Sequence, residues 1–111
     1  MKLFLFDIES SGLDHLNDRI LEIGYIFRDT EFKKPMIMST ITLNDKNDPS
    51  YSKNPADHIN HIYPAHCEVY GMDVRDVFNY LEGFFVKHKP DYMVAHNGNA
   101  FDVPFLFAQL E

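Results

Sequence analysis

Three short β-type segments followed by one long stretch of helical periodicity constrain the fold of this chain more than any other feature. Lys2–Ile8 is an apolar run closed by an acidic residue and reads as a first strand. Arg19–Phe27, rich in Ile20, Leu21, Ile23, Tyr25, Ile26 and Phe27, reads as a second strand. Met36–Leu43, with Ile37, Thr40, Ile41 and Thr42, reads as a third. Ser11-Gly12 and Asp14–Asp18 supply the first turn and loop. Gaps this short predict an antiparallel meander. Val74, Val77, Phe78, Leu81, Phe84 and Phe85 then recur at helical spacing. Asp73 is a natural N-cap, Lys87–Lys89 suits the negative end of the helix, and Pro90 follows its stop.

Tyr92–Ala95 is short and continuously apolar, which predicts a fourth strand, parallel and buried on both faces. After His96–Ala100 a final helix is expected, with Asp102 near its N-cap and Pro104 in its first turn. Asn44–Pro64, with Pro49, Pro55 and Pro64, reads as a long loop carrying one short turn around Ile59 and Ile62. A loop of that length is often functional. The predicted order is β-β-β-α-β-α, and the crossover from the third strand through a helix to the fourth makes the sheet mixed and the class α/β.

The 111 residues fit a single domain, 1–111, large enough for one core. No apolar run approaches the roughly 18 residues that a membrane span needs, and Asp7 interrupts the first one too early for a signal peptide. The single cysteine, Cys67, excludes an internal disulfide and fits a reducing, cytoplasmic compartment with no membrane partner. The formal net charge is −7. A protein that held nucleic acid by electrostatics alone would be basic, so either nucleic acid is not the partner or divalent cations supply the positive charge at the contact.

The acidic residues favour the second option. Asp7 and Glu9 lie two apart at the end of the first strand, so they share a face roughly 7 Å apart along the backbone. Like charges at about 4 Å would repel by about 4 kcal/mol at an effective dielectric near 20. A divalent cation relieves that repulsion, and hard carboxylate oxygens favour magnesium or manganese. A second acidic position, Asp102, opens the final helix after a strand that ends near His96.

The two segments resemble the first two motifs of the DEDD 3′–5′ exonucleases, a family that includes the proofreading subunit of bacterial replicative polymerase, ribonuclease T and oligoribonuclease. The first reads Phe6-Asp7-Ile8-Glu9-Ser10-Ser11-Gly12-Leu13, an Asp-x-Glu followed by a small hydroxyl residue, a variable position and Gly-Leu. The second reads His96-Asn97, three residues, then Phe101-Asp102. Arg19–Gly24 is similar to the family's second strand, and Tyr70-Gly71-Met72 to its His-Gly-Ile turn, with Tyr70 in the histidine place. The resemblance implies a ribonuclease H-like mixed sheet and stepwise removal of nucleotides from a single-stranded 3′ end of DNA or RNA. It implies that Asp7, Glu9 and Asp102 are the catalytic carboxylates and bind two Mg2+ or Mn2+ ions, Asp7 bridging both. It further implies that the Ser10–Leu13 segment, with Ser10, Gly12 and Leu13, lines the terminal nucleotide, that Leu13 and Phe101 pack on its base or sugar, and that His96 and Asn97 shape the turn presenting Asp102.

The family's third motif, a fourth carboxylate with a His or Tyr five residues before it, is not among residues 1–111, so the fold is expected to be C-terminally incomplete, short of its last strand and helix. A complementing polypeptide is expected to supply the remainder; otherwise the chain is a truncated remnant that turns over poorly, or a homodimer that covers the exposed apolar edge of Tyr92–Ala95 while still lacking that motif. The alternative is a catalytically inactive metal-binding or interaction module with the same fold. A different rival is a zinc module built on His58, His61, His66 and Cys67, whose spacing matches no common finger. DNA and RNA are not distinguished by any residue here.

Overall fold

A computed structural model describes residues 1–14, 16–34, 37–45, 54, 56–96 and 102–110. β1 (Lys2–Ser10), β2 (Ile20–Asp29) and β3 (Ile37–Asn44) form the predicted antiparallel meander. A two-residue strand, β4 (Met72–Asp73), pairs parallel with the end of β3, and β5 (Tyr92–Val94) pairs parallel with β1. The strand order is β4-β3-β2-β1-β5.

Side chains alternate along each strand, so one face of the sheet is apolar and the other is not. Phe4, Phe6 and Ile8 of β1, with Ile23, Tyr25 and Phe27 of β2, are buried on the first face. α3 (Val74–His88) covers it, burying Val74, Val77, Leu81 and Phe84 at helical spacing. Phe84 meets Phe27 edge-on at 5.1 Å, and Phe85 meets Phe4 edge-on at 4.9 Å. Burying each such side chain contributes roughly 1.5–3 kcal/mol. α3 begins where the sequence predicts: the Asp73 carboxylate accepts from the Arg75 and Asp76 amides at 2.9 and 3.4 Å. It ends at Lys89, whose φ of 45° turns the chain and whose amide donates to the Phe85 carbonyl. Pro90 then prevents continuation.

The fourth predicted strand is parallel as expected, but it is not buried on both faces. β5 stands at the edge of the sheet, and Tyr92 and Val94 are 59% and 43% exposed. An apolar run of this length reports strand propensity, not the number of neighbours the strand will have. The stretch expected to be loop holds α1 (Asp57–Asn60), where one turn was predicted, and α2 (Pro64–Tyr70) follows it. α2 starts with Pro64 but lacks a side-chain N-cap, an acidic residue in its first turn and a basic one in its last, and it buries only Cys67, so it carries few of the usual sequence signals. The order is therefore β-β-β-α-α-β-α-β-α. α4 (Asp102–Leu110) completes the core with Phe105 and Leu106, both fully buried. Among the described residues no helix is long and apolar enough to cross a membrane.

Candidate functional site

The second face of the sheet carries the polar groups. Asp7 and Glu9 alternate outward from β1, with Asp7 exposed and Glu9 half-buried. Across the β1–β2 ladder, Asp7 lies opposite Gly24 and Glu9 directly opposite Glu22. Together with Leu5, Thr40 and His96 these residues line a cleft of about 530 Å3.

Asp102 reaches the same end of β1 from the far end of the chain. β5 pairs with Leu3–Leu5 only, leaving the backbone of β1 beyond Leu5 free of that neighbour. There the Ile8 amide hydrogen-bonds to the Asp102 carboxyl. Asp102 is 5% exposed, and its Oδ2 has no hydrogen-bond partner. Burial, and then the Asp7 charge, push its pKa above the ordinary 3.8, while His96 and the Ile8 amide pull it down. Burial, and then the charges of Asp7, Glu22 and Asp102, likewise raise Glu9 above its ordinary 4.5. Asp102 is thus within electrostatic range of Asp7 and Glu9 although nearly the whole chain separates it from them.

The structure also brings in Glu22, which the sequence reading left unassigned. Its signal was available: within Leu21-Glu22-Ile23 it is the one residue that alternation sends to the face of Asp7 and Glu9. Among the described residues, no three His, Cys, Asp or Glu side chains already stand close enough to hold an ion. Carboxylates that repel one another would need the cation itself to draw them in. The zinc alternative fares worse on geometry, since Cys67 is 3% exposed within the apolar core while His61 and His66 are exposed.

The turn after β1 is shaped by Asp18. Its carboxylate accepts from the Asp14 amide at 3.0 Å and the Ser11 hydroxyl at 3.3 Å. A Cβ on Gly12 would run into that carboxylate, so a larger residue there would displace the Asp18 side chain from the turn. The Ser10 hydroxyl donates to the Gly12 carbonyl at 2.5 Å. Leu13 is left 85% exposed, and His96 is exposed beside Asp102. Asn97 and Phe101 lie outside the described residues.

The family described as DNA polymerase family B, exonuclease domain, matches residues 1–111. The DNA polymerase III subunit epsilon of Treponema pallidum (strain Nichols) is 36% identical over 115 residues, covering 95% of this chain and 44% of that protein. A zinc-bound E. coli exonuclease I–single-stranded DNA complex superposes with a TM-score of 0.77 at 20% identity, over 95% of this chain and 22% of that one. Exonuclease I of Methylocaldum szegediense superposes with a TM-score of 0.71 at 20% identity, over 94% of this chain and 22% of that one. At such identities the structural matches establish a shared fold, and the chain spans less than half the length of these relatives.

Proposed function

The chain belongs to the exonuclease-domain family of family B DNA polymerases, of the DnaQ-like type with a ribonuclease H-like α/β sheet, and from that premise we propose that it acts as a metal-dependent 3′–5′ exonuclease on single-stranded DNA or RNA. The observation that carries the reading is Asp102, a buried carboxylate with an unpartnered oxygen, which feels the charge of Asp7 and whose own charge is felt by Glu9. An orphaned buried oxygen beside two further carboxylates is a donor set of the hard type that magnesium and manganese prefer. Asp7, Glu9 and Asp102 would hold two such ions. When bound, the ions supply Lewis-acid activation of the attacking water and stabilise the leaving 3′ oxygen.

The chain's own residues do the positioning. The β1–β2 ladder fixes where Asp7 and Glu9 project, and the Ile8 amide fixes one oxygen of Asp102. His96 favours the charged form of Asp102, which is the form a cation needs. The Ser10–Leu13 turn borders the terminal nucleotide, with exposed Leu13 offering an apolar surface to base or sugar. Asn97 and Phe101 are proposed for the same nucleotide on the family resemblance. The solved E. coli exonuclease I complexes with dT13 and dA16 make single-stranded DNA the first substrate to test. The fourth carboxylate and its accompanying His or Tyr are proposed to come from an adjoining segment or a complementing polypeptide, since a second copy of residues 1–111 lacks them as well.

The test is degradation of a 5′-labelled single-stranded oligonucleotide with manganese. A ladder shortening from the 3′ end in wild type and absent in Asp7→Ala is the expected result. Binding without a ladder, in the presence of the complementing segment, would replace the enzyme with an interaction module.

A further inference from the structure

A hydrogen-bonded bracket outside the carboxylate cluster reaches across the sequence to the turn that follows Glu9. Asn60, at the end of α1, donates from its side-chain Nδ2 to the Ser10 carbonyl at 2.9 Å, a link across 50 positions. Its Oδ1 accepts from the Ile62 amide at 3.1 Å and from Asn54 Nδ2 at 2.9 Å. The Ile62 amide can only donate, so the acceptor atom of Asn60 must face it, which leaves the NH2 group for Ser10. Asn54 is itself buried, donating also to the Ile62 carbonyl at 2.6 Å and accepting from the Ala56 amide at 3.1 Å. Between Asn60 and Ile62 the backbone of His61 adopts a φ of 57°, an uncommon left-handed conformation for a side-chain-bearing residue. The bracket that Asn54 and Asn60 make with Ile62 holds it there.

α1 has four residues and cannot be stable alone. Its side-chain bracket makes it rigid enough to fix something else, and what it fixes is the backbone one residue past Glu9, at the point where the β1–β2 register slips. We propose that Asn60 is a positioning residue: through the Ser10 carbonyl it sets the shape of the Ser10–Leu13 turn and hence the affinity for the nucleic-acid end. The β1–β2 ladder, not Asn60, sets the carboxylates. The role rests on the nuclease reading above, and its test separates the two.

Two variants of the full chain are compared with wild type. Asn60→Asp keeps the acceptor for Ile62 and Asn54 but loses the donor to Ser10, so α1 stays braced. Asn60→Ala loses the donor without adding charge, and loses the acceptor for Ile62 and Asn54 with it, so α1 is unbraced too. Three readouts are taken: affinity for a fluorescent single-stranded oligonucleotide with calcium in place of manganese, manganese affinity without oligonucleotide, and hydrogen exchange at the Ser11 amide, which donates to the Arg19 carbonyl. Losing the hydrogen bond to the Ser10 carbonyl is expected to weaken oligonucleotide binding about tenfold in Asn60→Asp and at least as much in Asn60→Ala, which loses the brace as well. Manganese affinity should stay within about twofold, and Ser11 exchange should quicken in both. Weakening in the Asp variant alone is a charge effect and overturns the proposal. So does unchanged exchange at Ser11, or a manganese affinity that falls in step with oligonucleotide affinity. If wild type binds no oligonucleotide, the nucleic-acid reading falls and the exchange comparison alone decides whether Asn60 positions the turn.

Discussion

The two faces of the sheet are made from alternate residues of the same strands, yet they do opposite work. On β1, Phe4, Phe6 and Ile8 enter the core, while Asp7 stands exposed and Glu9 half-buried among like charges. The period of two separates what holds the fold from what strains it. Repulsion among carboxylates acts on a backbone that the aromatic face has already fixed, so the site can remain unfavourable without dissolving the sheet. Substitutions on the two faces should therefore differ in kind as well as size.

The largest effect is expected from Phe27→Ala on the apolar face. Phe27 is fully buried and packs on Phe84 and His88. Truncation should cost about 3–5 kcal/mol in urea unfolding, a large part of the roughly 5–15 kcal/mol that holds a domain. A loss below about 1 kcal/mol would mean that this face is not the core. Next in size is manganese, which should stabilise wild type by about 2.7 kcal/mol at a hundred times its dissociation constant. Asp7→Asn, on the open face, should lose that increment while unfolding much like metal-free wild type. An equal manganese gain in Asp7→Asn would break the assignment of Asp7 to the cation site.

Acidification should sharpen the contrast further. Glu9 and Asp102 have pKa values raised in the folded protein, so between their ordinary values, 4.5 and 3.8, and the raised ones the native state holds more protons than the unfolded chain. Metal-free stability must then fall as pH rises through that window and recover as pH drops through it. Asp102→Asn carries no such charge. It should melt higher than metal-free wild type at pH 7, with the difference shrinking toward pH 4. A difference that does not change with pH would show that Asp102 is not held against its burial and its neighbours' charge.

Much of this arrangement is legible in the sequence, because alternation and helical spacing are local. The strands β1, β2 and β3, each extending one or two residues past its expected end, the Asp73 cap and the two acidic segments follow from residues a few positions apart. The rest depends on contacts between distant parts of the chain. That β5 is an edge strand depends on which neighbours it finds, and Tyr92-Met93-Val94 does not encode them. The turn that became α1 was expected, but its bracing by Asn54 and Ser10 depends on remote partners, and α2 was hidden because it has no side-chain cap. Convergence of Asp102 with Asp7 came only from family resemblance, since no periodicity relates positions so far apart. Glu22 was visible by alternation, yet an isolated glutamate on a strand draws no attention until Glu9 is found opposite it.

That pairing gives the smallest predicted effect and the most direct link between the two faces. Like charges directly across an antiparallel pair are destabilising, and a cross-strand pair is worth roughly 0.2–1 kcal/mol. Glu22 lies opposite Glu9, and its Oε2 is 3.5 Å from the Thr42 hydroxyl, a contact that a glutamine can keep. Glu22→Gln should therefore raise metal-free stability by a few tenths of a kcal/mol, read as a shift in the urea midpoint at constant slope. With manganese bound, Glu9 is neutralised from its other side and gains less from losing a negative neighbour, so the shift should shrink. An undiminished shift in manganese would place Glu9 outside the cation's reach and leave Asp7 and Asp102 to hold it without that side chain.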